Sequence, residues 1–182
     1  MRKIVVSEYL SLDGIMSYPA WTMPYWNDEI SSYKGAENDA SDALLLGRVT
    51  YQEFAKAWPD SPDEGAARMN EMPKYVASNT LDAGAAEWNA TIIKGDLLDE
   101  IGKLRNQSGG DLLVYGSGDF VNWLIQNNLV DEYHLLVYPV VIGEGKAFFQ
   151  PGLNKTLELA ESKTFSSGVV ALTYRPAPAS AQ

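Results

Sequence analysis

"LLLGRVTYQEFAKAW", residues 44–58, sets a run of leucines against an abrupt Gly47-Arg48, with a hydroxyl at Thr50 just beyond. Three consecutive leucines show no alternation, which is the signature of a strand covered on both faces. After the glycine, Tyr51, Phe54, Ala55 and Trp58 recur at i, i+3, i+4 and i+7, so they share one face of a helix. A strand that ends in glycine and opens a helix is ordinary α/β architecture. It is also a place to hold phosphate, because the first helical turn leaves N–H groups unpaired and carries the positive end of the helix dipole. The stretch "DLLVYGSGDFVNWLIQNN", residues 111–128, repeats the theme at Gly116, Ser117 and Gly118. One such turn is equally well a simple corner. Two in one small sheet can hold both ends of a diphosphate.

Outward from these turns, "KIVVSEYLSLDG" (3–14) reads as an opening strand that stops at the turn signal Asp13-Gly14. The aromatic stretch "YPAWTMPYWNDE" (18–29) carries two prolines that resist regular structure, and a helix is expected from 28 to about 39. Residues 58–73 read as a loop with a short helical turn. "KYVASN" (74–79) and "ATIIKG" (90–95) are short strands, and "DLLDEIGKLRNQ" (96–107) is an amphipathic helix with Asp96 as its N-cap. The last third, "DEYHLLVYPVVI" (131–142) and "LELAESKTFSSGVVALTYRP" (157–176), reads as antiparallel strands with a hairpin turn at Ser167-Gly168. Strands alternating with helices and then giving way to a hairpin predict an α/β fold. Its central sheet is mainly parallel with an antiparallel C-terminal end. Residues 1–176 are expected to form a single domain, and 177–182 a disordered tail.

Composition bounds the function. A chain of 182 residues with a hydrophobic fraction of 46% has material for one core. No apolar run approaches the roughly 20 residues needed to cross a bilayer, and the amino terminus alternates like a strand rather than a signal peptide. The formal net charge of −10 disfavours nucleic acid and anionic membranes as partners. With no cysteine and one histidine, His134, neither a disulfide framework nor a metal site is expected, and a cytoplasmic location fits. His134 lies in a strand pattern and reads as a structural residue, with a charge-relay role as the alternative.

"LLLGRVTYQEF" resembles the cofactor motif of dihydrofolate reductases, "KYVASNT" is similar to that family's next strand, and "LLVYGSGDFVNWLI" resembles its later glycine-rich turn and helix. With "SLDG" near the start and "DEYHLLVYPVVIGEGKAFF" near the end, the closer resemblance is to the RibD C-terminal reductase domain of riboflavin biosynthesis and its stand-alone relatives. It covers nearly the whole chain. It implies a dihydrofolate reductase-like three-layer fold, with helices on both faces of the sheet. It also implies an NADPH-dependent reductase that transfers hydride to a small heterocyclic or carbonyl substrate, of the pterin or ribosylaminopyrimidine type. The alternative is a non-catalytic NADP(H)-binding protein of the same fold.

The resemblance places Gly47, Arg48 and Thr50 at the cofactor, with Arg48 facing the 2′-phosphate and Thr50 the diphosphate. Ser78 and Asn79 come near the adenine ribose, and Gly116, Ser117 and Gly118 wrap the diphosphate. The plainer readings are an Arg48 ion pair with Glu53 and a simple turn at Ser78-Asn79. For the proton and the substrate, the resemblance points to Glu29 or Asp28 at the start of the helix after the aromatic loop, and to Asp13. Acidic residues there are also ordinary helix N-terminal chemistry, and an aspartate before glycine is an ordinary turn. Trp21, Tyr25 and Trp26 could stack a flat ring or pack the loop. The apolar strand around 133–142 would suit a homodimer interface, and a core strand explains it equally well.

Overall fold

The computed structural model describes residues 1–178. Along the chain run β1 (Ile4–Leu10), α1 (Asp28–Ala40), β2 (Ser41–Gly47), α2 (Arg48–Ala57), α3 (Ala66–Glu71), β3 (Lys74–Ala77) and β4 (Ala90–Ile93). They are followed by α4 (Leu97–Asn106), β5 (Asp111–Val114), α5 (Gly118–Gln126), β6 (Glu132–Val137), β7 (Leu157–Thr164) and β8 (Val170–Pro176). The strands form one sheet in the order β4-β3-β2-β5-β1-β6-β8-β7. Its first six strands are parallel; β8 runs antiparallel to both β6 and β7.

The alternation of side chains along central strands divides the core between two layers. Ile4, Val6, Leu45, Leu112 and Val114 point to one face and pack on Ile101 and Leu104 of α4 and on Val121 and Leu124 of α5. Val5, Leu44, Leu46 and Leu113 point to the other and meet Tyr51 of α2 and Met69 of α3. This is why the leucine run shows no polar alternation: both of its faces are buried. Ile30 of α1 packs with Leu136, Tyr138, Phe165 and Val169 beneath the antiparallel end.

Helix starts follow local chemistry. Asp96 accepts from the amides of Leu98 and Asp99 at 3.0 and 3.2 Å, as expected of an N-cap, and Asn27 caps α1 through the amide of Ile30 at 3.0 Å. The aromatic loop is more regular than its prolines predicted. Pro19–Tyr25 form a 3-10 helix with Pro19 at its start and Pro24 inside it. A short 3-10 turn asks for few amide donors, and the proline φ suits it.

The hairpin turn is as expected, with the Phe165 amide donating to the Val169 carbonyl at 2.8 Å and the Gly168 amide to Phe165 at 3.0 Å. The strand expected over 131–142 is shorter, ending at Val137 before Pro139. It lies between β1 and β8, so the core reading accounts for its apolar character. Ala177, expected in a disordered tail, donates its amide to Thr156 at 3.0 Å; residues 179–182 lie outside the described residues. Among the described residues, no helix is long and apolar enough to cross a membrane.

Candidate active site

The two glycine turns lie against each other at the carboxyl ends of β2 and β5. The Gly47 amide donates to the Gly116 carbonyl at 2.9 Å. A Cβ at Gly47 would collide with Ser117 Oγ and stand 2.9 Å from the Ser117 nitrogen and from Phe120 Cβ, so only glycine permits this approach. Gly116 has φ +111°, and a Cβ there would lie 2.8 Å from Thr50 Oγ1; the Gly116–Ser117 peptide is cis. The residues just before α2 and α5, Gly47 and Ser117, make no side-chain cap bond, so the first-turn amides of both helices have no capping side chain. The fold therefore gathers Gly47, Thr50, Gly116, Ser117 and Gly118 into one cradle.

Arg48 is exposed at the first turn of α2. Its guanidinium donates to Gln52 Oε1 at 2.9 Å, and no ion pair with Glu53 forms among the described residues. Ser78 and Asn79 border a pocket of about 280 Å³ with Ile93, Leu97, Phe120 and Trp123. The Phe120 and Trp123 rings are stacked, with planes 10° apart. Ser78 Oγ accepts from the amides of Thr80 and Leu81 at 3.2 and 3.1 Å, so the turn reading holds for this serine while it remains a pocket wall. A flat, polar-edged ring suits a slot of this kind.

The acidic residues are held by their neighbours. Glu29 accepts from the Ser166 amide at 2.7 Å and from the Ser166 hydroxyl, tying α1 to the β7–β8 hairpin, and these bonds hold its carboxyl below its ordinary value. Asp13 accepts from the Ser11 hydroxyl at 2.6 Å and from the amides of Gly143 and Ile142 at 2.7 and 3.1 Å, which bring it down to about 2. Both are ionised at neutral pH and hold no proton to give. Asp28 is exposed in the first turn of α1.

Trp21 and Tyr25 pack edge-on against Tyr138 with ring centroids 5.5 and 5.9 Å away, and Trp26 packs edge-on against Tyr9 at 6.1 Å. The three are thus gathered in one aromatic cluster around the ends of β1 and β6. Trp26, 41% exposed, presents the most surface.

Three polar residues in this region escaped the sequence reading. Glu8, Lys34 and Glu37 are all buried. Lys34 Nζ donates to Ser7 Oγ at 2.6 Å, lies 2.5 Å from Glu37 Oε2 and sits 4.4 Å from the centre of the Tyr115 ring. Burial opposes its charge, yet Glu37 and Tyr115 hold its pKa above the ordinary value. Burial likewise works against the Glu37 carboxylate, but Lys34 and His134 outweigh it and lower its pKa. His134 Nδ1 meets Glu37 Oε1 at 2.8 Å, which makes it a structural partner in β6. The available signal was the pair Ser7-Glu8 inside an otherwise apolar strand. Lys146 was missed as well: it covers Gly118, its Cε 3.2 Å from where a Cβ would stand, and pairs with Asp119.

The order of the strands, the antiparallel end and the two glycine turns define a dihydrofolate reductase-like fold. The chain belongs to the RibD C-terminal domain family, whose model matches residues 2–171. The uncharacterized protein YyaP of Bacillus subtilis (strain 168) is 32% identical over 139 residues, covering 73% of this chain and 73% of its own. Among solved structures, a Shewanella sp. PV-4 protein whose name assigns it provisionally to riboflavin biosynthesis superposes with a TM-score of 0.79 at 22% identity, over 97% of this chain and 99% of that one. Dihydrofolate reductase of Enterococcus faecalis, in a complex with NADP(H), superposes with a TM-score of 0.66 at 14% identity, over 97% of each chain.

Proposed function

We propose that this protein is an NADPH-dependent reductase that delivers hydride to a small heterocyclic or carbonyl-bearing compound, of the pterin or ribosylaminopyrimidine type, in the cytoplasm. The observation that carries this reading is the cradle itself: Gly47 and Gly116 in direct contact, with the uncapped starts of α2 and α5 beside them. Every side chain but hydrogen is excluded from Gly47, and helix-start amides beside it carry the partial positive charge that favours a diphosphate. Reduced nicotinamide supplies the hydride when bound. The chain's own residues bind and orient. Thr50, Ser117 and the helix-start amides receive the diphosphate, Arg48 the 2′-phosphate, Ser78 and Asn79 the adenine ribose, and the Phe120–Trp123 pocket the adenine. Trp21, Tyr25 and Trp26 form the wall on the substrate side. Asp13 and Glu29 act as anchors of the loops around the site, and Asp28 stays with solvent.

The decisive experiment is a parallel titration with NADPH and NADH, followed by nicotinamide or tryptophan fluorescence, in the native chain and in Arg48→Ala. A guanidinium bond to phosphate contributes roughly 1.5–3 kcal/mol, or about 10- to 150-fold in affinity. Native protein binding NADPH more tightly than NADH, with the preference lost in Arg48→Ala, supports the reading; binding of neither nucleotide removes it. A second reading, a non-catalytic NADP(H)-binding protein, is favoured by the anchored carboxylates of Asp13 and Glu29. NADPH binding without consumption across pterins, pyrimidines and dicarbonyls would establish it.

A further inference from the structure

One buried carboxyl beside the cradle has an oxygen with no partner among the described residues. Glu8, near the end of the central strand β1, is 8% exposed, and its Oε1 makes no hydrogen bond to them. That atom lies 3.5 Å from the point where a Cβ on Gly116 would stand, and Thr50 Oγ1 lies 2.8 Å from the same point. The carboxyl and the hydroxyl therefore border the space that any side chain at 116 would fill, directly against the Gly116–Ser117 turn.

We propose that Glu8 is a ligand-contacting residue of this site, a neutral carboxylic acid that donates a hydrogen bond to an oxygen of the bound nicotinamide dinucleotide, so that its ionisation weakens binding. This rests on the dinucleotide reading above. Its physical basis is that an unpaired buried carboxyl is more stable with its proton on, and that an ionised one beside an anionic diphosphate would repel it.

The surroundings leave Glu8 little help in ionising. Burial pushes its carboxyl up to about 8, and Lys34 of α1 pulls it back only in part. The Lys34 ammonium is already engaged by Glu37 and Ser7. Burial raises the Tyr9 and Tyr115 phenols as well, which keeps both neutral, and the charged residues at the start of α5, Asp119 and Lys146, pair with each other. Arg48, at the start of α2, is turned toward Gln52.

The test is the dissociation constant of NADPH and of NADH from pH 6 to 10 for the native chain, Glu8→Gln and Glu8→Ala, with a thermal melt of each protein at each pH. NADH removes the titration of the 2′-phosphate from the comparison. The native protein is expected to bind with steady affinity below about pH 8 and to lose about tenfold per pH unit above it, as one ionising group requires. Glu8→Gln keeps a donor and is expected to bind several-fold more weakly with a flat profile; Glu8→Ala binds more weakly still and is also flat. A flat native profile with NADH, or the native slope persisting in either folded variant, overturns the role of Glu8 and leaves the cofactor reading standing. Native protein that binds neither nucleotide at any pH overturns both.

Discussion

The amide of Gly47 and the carbonyl of Gly116 are 2.9 Å apart, joining the ends of two strand-to-helix turns that are 69 positions apart in the chain (116 − 47). That bond is possible because position 47 has no side chain: its Cβ would meet Ser117 and Phe120, both fixed by the start of α5. Gly47→Ala is therefore expected to lower stability by about 1–3 kcal/mol, the usual cost of overpacking a rigid contact. It is also expected to weaken NADPH and NADH together. Denaturant unfolding and nucleotide titration of the same sample check this.

Lys34 and Glu37 form a buried ion pair that also takes in Ser7 and His134. Removing one partner strands the other charge, so Lys34→Met is expected to destabilise by about 3–5 kcal/mol. A double variant, Lys34→Met with Glu37→Leu, removes both charges of the pair and is expected to recover part of the loss. Urea unfolding of the two variants against the native protein measures it.

Asp13 ties the "SLDG" turn to the Ile142-Gly143 loop. Its carboxyl is lowered from 3.8 to about 2, first by the Ser11 hydroxyl and then by the two amides. A group lowered in the folded state stabilises above its ordinary value and loses that contribution as pH falls through the folded one. Between about pH 4 and pH 2 the native melting temperature is expected to fall more steeply than that of Asp13→Asn. Glu29, also lowered, adds a further acid-sensitive contact that both proteins share. Thermal melts across this range check the difference in slope.

Trp123 stacks on Phe120 at the wall of the Ser78–Asn79 pocket. Stacking of a base on an aromatic ring contributes roughly 1–3 kcal/mol, so Trp123→Ala is expected to weaken NADPH and NADH equally, by about 5- to 150-fold. Arg48→Ala, by contrast, is expected to move NADPH alone. The two titrations together separate the adenine from the 2′-phosphate.

Much of the fold was legible because it rests on local signals. Tyr51 and Trp58 on one helix face, Asp96 before an amphipathic run, and Ser167-Gly168 between two strands each act within a few residues. The aromatic loop was misread as irregular because proline rules out an α-helix interior more strictly than a 3-10 turn. The cradle residues were legible as types, since glycine at a strand end carries its reason with it. Asp13 and Glu29 were legible as acids, but the loops they tie down, at Gly143 and Ser166, lie 130 and 137 positions away, so their role as anchors was not. Glu8 was visible only as an odd residue in an apolar strand. Its environment is made by Gly116 and Thr50, which local pattern does not connect to it.

By itself the sequence determined the succession of strands and helices, the two glycine turns and the antiparallel end, because these follow from periodicity, backbone freedom and capping, which act over short spans. The tertiary structure decided that the turns meet, that β6 is a core strand, and which carboxyls are anchored and which buried. Those outcomes depend on burial and on partners brought together from distant parts of the chain, and the free energy of a charge is set by what surrounds it rather than by what precedes it.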